Sequence, residues 1–220
     1  MKLIDLFEDA KDMSIDDIVN TISAECSIML SAYKNSNKVL LRGTSHKNML
    51  FSKSNIRQDR VPVEMSADDH NLINKALKRL KLPTRGDSLF VTADADIAAE
   101  WGSIHVVFIP DGWEGLVYDN LDSDEYSFDQ LQYTAQDLRS QIKRGDITAD
   151  QAADGMVEFI QDMQARKFTT AKDLAKVLDD DVSDILIKAP YYYKLSMDVK
   201  HEAEAVQVLK KLKLKAINVI

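Results

Sequence analysis

Lys38-Val39-Leu40-Leu41-Arg42-Gly43-Thr44 is the stretch whose reading decides the fold. Three apolar residues run straight into an arginine and a glycine. A continuous apolar run bounded by polar turn residues fits a short strand buried on both faces, over residues 39–41. Arg42 closes that strand with a planar guanidinium fork that matches carboxylate or phosphate oxygens two at a time. Gly43 lets the backbone come close to a ligand with no side chain in the way. Two readings of Arg42 stand side by side: a strand-ending cation paired with a structural carboxylate, and a ligand-binding cation.

The 220 residues suit one domain with a substantial core, or a domain with a helical appendage. A hydrophobic content of 45% against 29% charged residues is that of an ordinary globular chain. No apolar run approaches the roughly 18 residues that a membrane span needs, so no membrane partner is expected. The first thirteen residues carry Asp5, Glu8, Asp9 and Asp12, the wrong charge for a secretory signal. With the single Cys26 no intrachain disulfide can form, which fits a reducing cytoplasm. A net charge of −8 argues against nonspecific nucleic-acid binding, which needs a phosphate-neutralising surface. The basic runs Lys78–Arg79–Lys81–Arg85 and Lys210–Lys211–Lys213–Lys215 read as solvated helix faces. The four histidines are scattered and no CxxC pair occurs, so no zinc site is expected.

Outward from the central stretch, residues 1–12 read as a short amphipathic helix. A capped helix follows through Ile18, Ile22, Cys26, Met29 and Leu30, stopped by Asn35-Ser36-Asn37. Residues 50–65 read as irregular. Ser66 and Asp69 cap a helix that ends before Pro83. Strands are expected at 88–92 and 104–109, with a short helix between them capped by Thr92 or Asp94 and closed by Gly102. Residues 111–127 read as a glycine- and acid-rich loop. Helices are expected at 128–144, 149–166 and 170–178, strands at 185–188 and 191–196, a helix at 202–212 and a last strand at 216–220. Strands and helices mix without regular alternation, which predicts an α+β fold.

Three motifs then occur in order: Leu40-Leu41-Arg42-Gly43; Phe90-Val91-Thr92-Ala93-Asp94 with Ala98, Ala99 and Trp101-Gly102 behind it; and Val182-Ser183-Asp184-Ile185-Leu186-Ile187. Together they resemble the three motifs of the ADP-ribosyltransferase superfamily in its bacterial-toxin-like branch: an arginine closing the first core strand, a hydroxyl-bearing F-x-S-T-S-type strand, and a carboxylate before an apolar strand. The run Arg57–Pro62, His70 and the F-x-T-A-D strand also look like small bacteriophage proteins of this fold. The resemblance begins near residue 38. It departs from the family where Ala93 and Asp94 replace hydroxyls, where Asp184 stands for glutamate, and where Val182 stands for the first glutamate.

The resemblance implies a single domain over 1–220 with a split mixed or antiparallel sheet core, N-terminal helices in 1–36 and a helical insertion at 128–180. It implies NAD as substrate, with ADP-ribose transferred to a host macromolecule in the host cytoplasm, or NAD hydrolysed; packaging in a virion is a further expectation. Asp184, Arg42 and Thr92 would be the catalytic set. Arg42, Gly43, Thr44, Phe90, Thr92 and Trp101 would bind NAD, with Tyr118 as a further aromatic wall; separately, the acidic loop 119–125 reads as solvated, with Glu125 as the acceptor contact if the loop is functional. The rival expectation is a catalytically impaired protein of this fold that binds a host or virion protein. Thr92 as a helix cap, Asp184 as a solvated strand-edge acid, and Phe90 and Trp101 as core residues are the plainer alternatives.

Overall fold

A computed structural model describes residues 13–44, 49–58, 65–118, 127–180 and 184–214. The helix expected over 1–12, the strand expected over 216–220 and Glu125 lie outside the described residues. Among the described residues eight strands form two sheets in which every pairing is antiparallel. The first sheet holds β1 (Leu41–Thr44), β4 (Ser103–Phe108), β8 (Tyr191–Ser196) and β2 (Phe51–Asn55), in that spatial order. The second holds β3 (Leu89–Val91), β7 (Ile185–Lys188), β5 (Glu114–Tyr118) and β6 (Ala165–Phe168). With helices flanking both sheets, the chain is α+β.

Among the described residues the two sheets meet at one bridge. Leu41 on β1 donates its N–H to the carbonyl of Thr92 at 2.7 Å, and Thr92 returns the bond at 3.0 Å. One face of the second sheet (Leu89, Val91, Val117, Ile185, Ile187) joins the main core beside α1 (Ile15–Glu25), α2 (Ser27–Ser36), α7 (Ala171–Asp179) and α8 (Glu202–Lys211). The other face (Phe90, Leu116, Tyr118, Leu186) packs against α3 (Ala67–Arg79), α5 (Ser127–Arg144) and α6 (Ala149–Asp162). The alternation of side chains along each strand makes both faces apolar, as a sheet covered on both sides requires.

Several expectations need correction. The first long helix is two: Cys26, at φ −121° and ψ 40°, breaks it into α1 and α2. The cause is distant in sequence, since Asp111 accepts from the Ser27 hydroxyl at 2.5 Å and from the Ile28 N–H at 2.9 Å. It thereby caps α2 with a carboxylate from another loop. Residues 51–55, expected to be irregular, form β2; Ser52, Lys53, Ser54 and Asn55 have weak strand propensity, and pairing with β8 overrides it. Residues 114–118, expected in a loop, form the buried strand β5. There Gly115 admits the Phe168 ring, which a Cβ would meet at 2.2 Å. The helix expected to 166 ends at Asp162, and Gln164 at φ +52° turns the chain into β6. The helical insertion therefore also supplies an edge strand to the second sheet.

Candidate functional site

The bridge residue Thr92 lies one position beyond the last β3–β7 pair, Val91↔Ile185. Continuing that register by one residue sets Thr92 opposite Asp184. Continuing the β5–β7 register from Leu116↔Leu186 by two residues sets Tyr118 opposite Asp184 as well. The pleat puts Thr92, Asp184 and Tyr118, beyond the last recorded pairs, on the same face as the row Phe90, Leu186, Leu116. All three members are buried: Thr92 is fully enclosed, Asp184 is 6% exposed and Tyr118 is 2% exposed. Asp184 is therefore not a solvated strand-edge acid.

Thr92 uses its hydroxyl locally, accepting the Asp94 N–H at 3.0 Å. Capping of α4 (Ala95–Glu100) falls to Asp94, whose carboxylate accepts from Asp96 N–H at 2.7 Å and Ile97 N–H at 3.2 Å. Of the two residues expected as the cap, Asp94 serves. The phenol of Tyr118 is pushed up by burial, with the charge of Arg85 opposing and that of Asp184 adding.

Arg42 sits on β1 one residue past the bridge, paired with His105 on β4. Its Cβ therefore leaves the sheet on the side opposite to that of Leu41. The guanidinium returns to the seam, where Nη1 donates to the carbonyl of Phe90 at 2.5 Å. Its Nε is buried with no hydrogen-bond partner among the described residues. Burial pulls the Arg42 pKa below its ordinary value, and the phenol of Tyr192 works the other way. No structural carboxylate holds this cation among the hydrogen bonds and ion pairs of the described residues.

The remaining candidates divide. Phe90 is half-buried, and its ring lies 5.1 Å from the Arg85 guanidinium carbon. Gly43 serves a helix: a Cβ there would stand 2.0 Å from the Ala98 carbonyl oxygen and 2.7 Å from the Gly102 nitrogen, so the close approach is made by the end of α4. Thr44 ends β1 with its Oγ1 buried and unpartnered among the described residues. Trp101, 38% exposed at the C-cap of α4, belongs to that same helix end and lies outside the Thr92 row.

Arg85 was missed by sequence reasoning, which grouped it with Lys78, Arg79 and Lys81 on a solvated face. It is only 7% exposed. The available signal was local: it lies in Thr84-Arg85-Gly86-Asp87, a turn immediately before a core strand rather than on a helix. His70, 4% exposed on α3, is a buried neighbour whose pKa is lowered by burial and then by the Arg85 charge.

Comparison with protein-family models, with curated proteins and with solved structures finds no match for the chain.

Proposed function

We propose that the protein binds NAD and transfers its ADP-ribose to a host macromolecule, or to water. The observation that carries this reading is a buried hydroxyl and a buried acid, Thr92 and Asp184, each one residue beyond the last β3–β7 pair, with Arg42 one residue past the bridge on β1. The residues present fit the ligand in one specific way: a partly buried guanidinium whose Nε has no partner among the described residues is suited to a pyrophosphate. Arg42 would hold the pyrophosphate, with Thr44 adding its hydroxyl. Phe90 and Trp101 would supply aromatic surface, and Gly43 would keep the β1 backbone close to α4 beneath them. Breaking the nicotinamide–ribose bond sends the bonding pair to nicotinamide and leaves an oxocarbenium-like ribose. Asp184 would stabilise that charge, as a carboxylate does in glycoside hydrolysis, and Thr92 would support it. The acceptor then bonds to the ribose carbon and loses its proton to solvent.

A second reading has its own support. The Nη1 of Arg42 already bonds the Phe90 carbonyl, and Asp184 is buried within electrostatic reach of the Tyr118 phenol. A set committed in this way suits a protein that keeps the fold and acts by binding a host or virion protein. Incubation of the purified chain with labelled NAD and a host lysate separates the two. Transfer predicts a labelled macromolecule, lost in Arg42→Ala and Asp184→Ala. The binding reading predicts no label from any of the three and no NAD-dependent rise in melting temperature.

A further inference from the structure

At the edge of the first sheet farthest from the bridge, one face forms a corner that the NAD chemistry does not use. β2 is the last strand there among the described residues, with Lys53 directly opposite Tyr193 of β8 and Asn55 opposite Tyr191. The two tyrosine rings stand at 77° with centroids 5.7 Å apart, and Phe51 stacks on Tyr193 at 5.3 Å. Glu25, the last residue of α1, closes the corner. Its Oε2 accepts from the Tyr191 hydroxyl at 2.8 Å and from the Tyr193 hydroxyl at 2.7 Å. Its backbone carbonyl is held in turn by the Asp111 N–H at 2.8 Å. The bond from Tyr193 foremost keeps the Glu25 carboxyl below the ordinary carboxylate range, with burial opposing. The corner therefore sets an anion beside two aromatic faces at neutral pH.

A ring face and a carboxylate are the two features that attract an organic ammonium. One ammonium is already there: Lys53 Nζ lies 3.5 Å from the Tyr191 ring centroid and 5.7 Å from that of Tyr193. It leaves the site incomplete. The exposed Lys53 side chain acts on Glu25 through its charge, and among the described residues it forms no ion pair with it. Both tyrosine bonds fall on Oε2, so Oε1 is left for another donor. We propose that Tyr191, Tyr193 and Glu25 form a binding site for an alkylammonium from outside the chain, a lysine side chain or a free polyamine, with Lys53 as its displaceable occupant. The incoming ammonium would lie on the Tyr191 ring and donate to Oε1, combining the two contacts that Lys53 does not. The exchange spares the fold, because Lys53 is exposed and Glu25 keeps both tyrosine bonds.

Titration of the full chain with butylammonium, followed by NMR of ring-labelled tyrosines, tests the site without NAD. Saturable shifts are expected at Tyr191 and Tyr193, and none with butanol, which has the same carbon chain and no charge. Lys53→Met vacates the ring face and should tighten binding roughly two- to fivefold, the worth of an exposed cation–π contact. Glu25→Gln keeps an acceptor for the tyrosines but no charge, and should weaken binding by roughly two- to fivefold. Spermidine and a Gly-Lys-Gly peptide blocked at both ends then distinguish the sources, the tighter of the two naming the ligand. No saturable shift in Lys53→Met, equal shifts with butanol, or unchanged affinity in Glu25→Gln overturns the site. Binding that Lys53→Met does not tighten overturns the role of Lys53 as its occupant.

Discussion

A methyl group on Gly43 would stand 2.0 Å from the Ala98 carbonyl oxygen, and the obstacle is backbone rather than a side chain that could swing away. Gly43→Ala is therefore expected to cost at least the roughly 1–3 kcal/mol of an overpacked core, read as a lower urea midpoint. A midpoint equal to wild type would mean that α4 does not press on β1. His70 makes a different kind of prediction. Burial, with the Arg85 charge second, lowers its pKa below the ordinary value of about 6.5. The unfolded chain then takes up a proton at a pH where the folded chain does not. The stability involved is whole above about pH 6.5 and is lost as the pH falls towards the folded pKa. His70→Gln should flatten the decline of stability between about pH 7 and pH 5; an unchanged slope would show that another group titrates there.

At the scale of elements, what the sequence disclosed follows from how local each cause is. Helices capped from within were legible: Ser66 accepts the Asp69 N–H, and Thr148 with Gln151 forms a reciprocal capping box. Strands with their own apolar pattern, β4, β7 and β8, were legible for the same reason. The α1–α2 break was not, because the carboxylate that caps α2 comes from Asp111, more than eighty residues away. Asp111→Ala should cost about 1 kcal/mol, the usual value of a lost N-cap, visible in urea unfolding. No loss would mean that Cys26 breaks the helix unaided. β2 and β5 were hidden because their residues become strands only through partners, β8 for the one and β6 and β7 for the other. At the candidate site, Arg42, Thr92 and Asp184 could each be named from motifs. Their relative placement could not, since it depends on the register of β3 with β7 and on one bridge to β1. For Arg85 only its place in a turn before a core strand could be read, since its burial is created by α3 and by the Phe90 ring.

At the scale of the molecule, the two four-stranded sheets of the described residues meet at the bridge between Leu41 and Thr92, with Arg42 one residue past it on β1. Neither sheet alone carries the set: Arg42 belongs to the first, Thr92 follows a strand of the second, and Asp184 precedes another. The insertion closes the far face of the second sheet with α5 and α6 and extends its edge with β6, so the acid row lies inside rather than at a rim. No helix among the described residues is long and apolar enough to cross a membrane. The net charge of −8 is unsuited to sequence-independent nucleic-acid binding, and on the proposed reading individual cations such as Arg42 would hold a small anionic ligand. The most direct measurement is nicotinamide release from NAD by wild type and by Asp184→Asn at matched melting temperatures. The account predicts release by wild type and a fall on the order of 10²–10³-fold in the variant; equal release from the two proteins, or none from wild type, would contradict it.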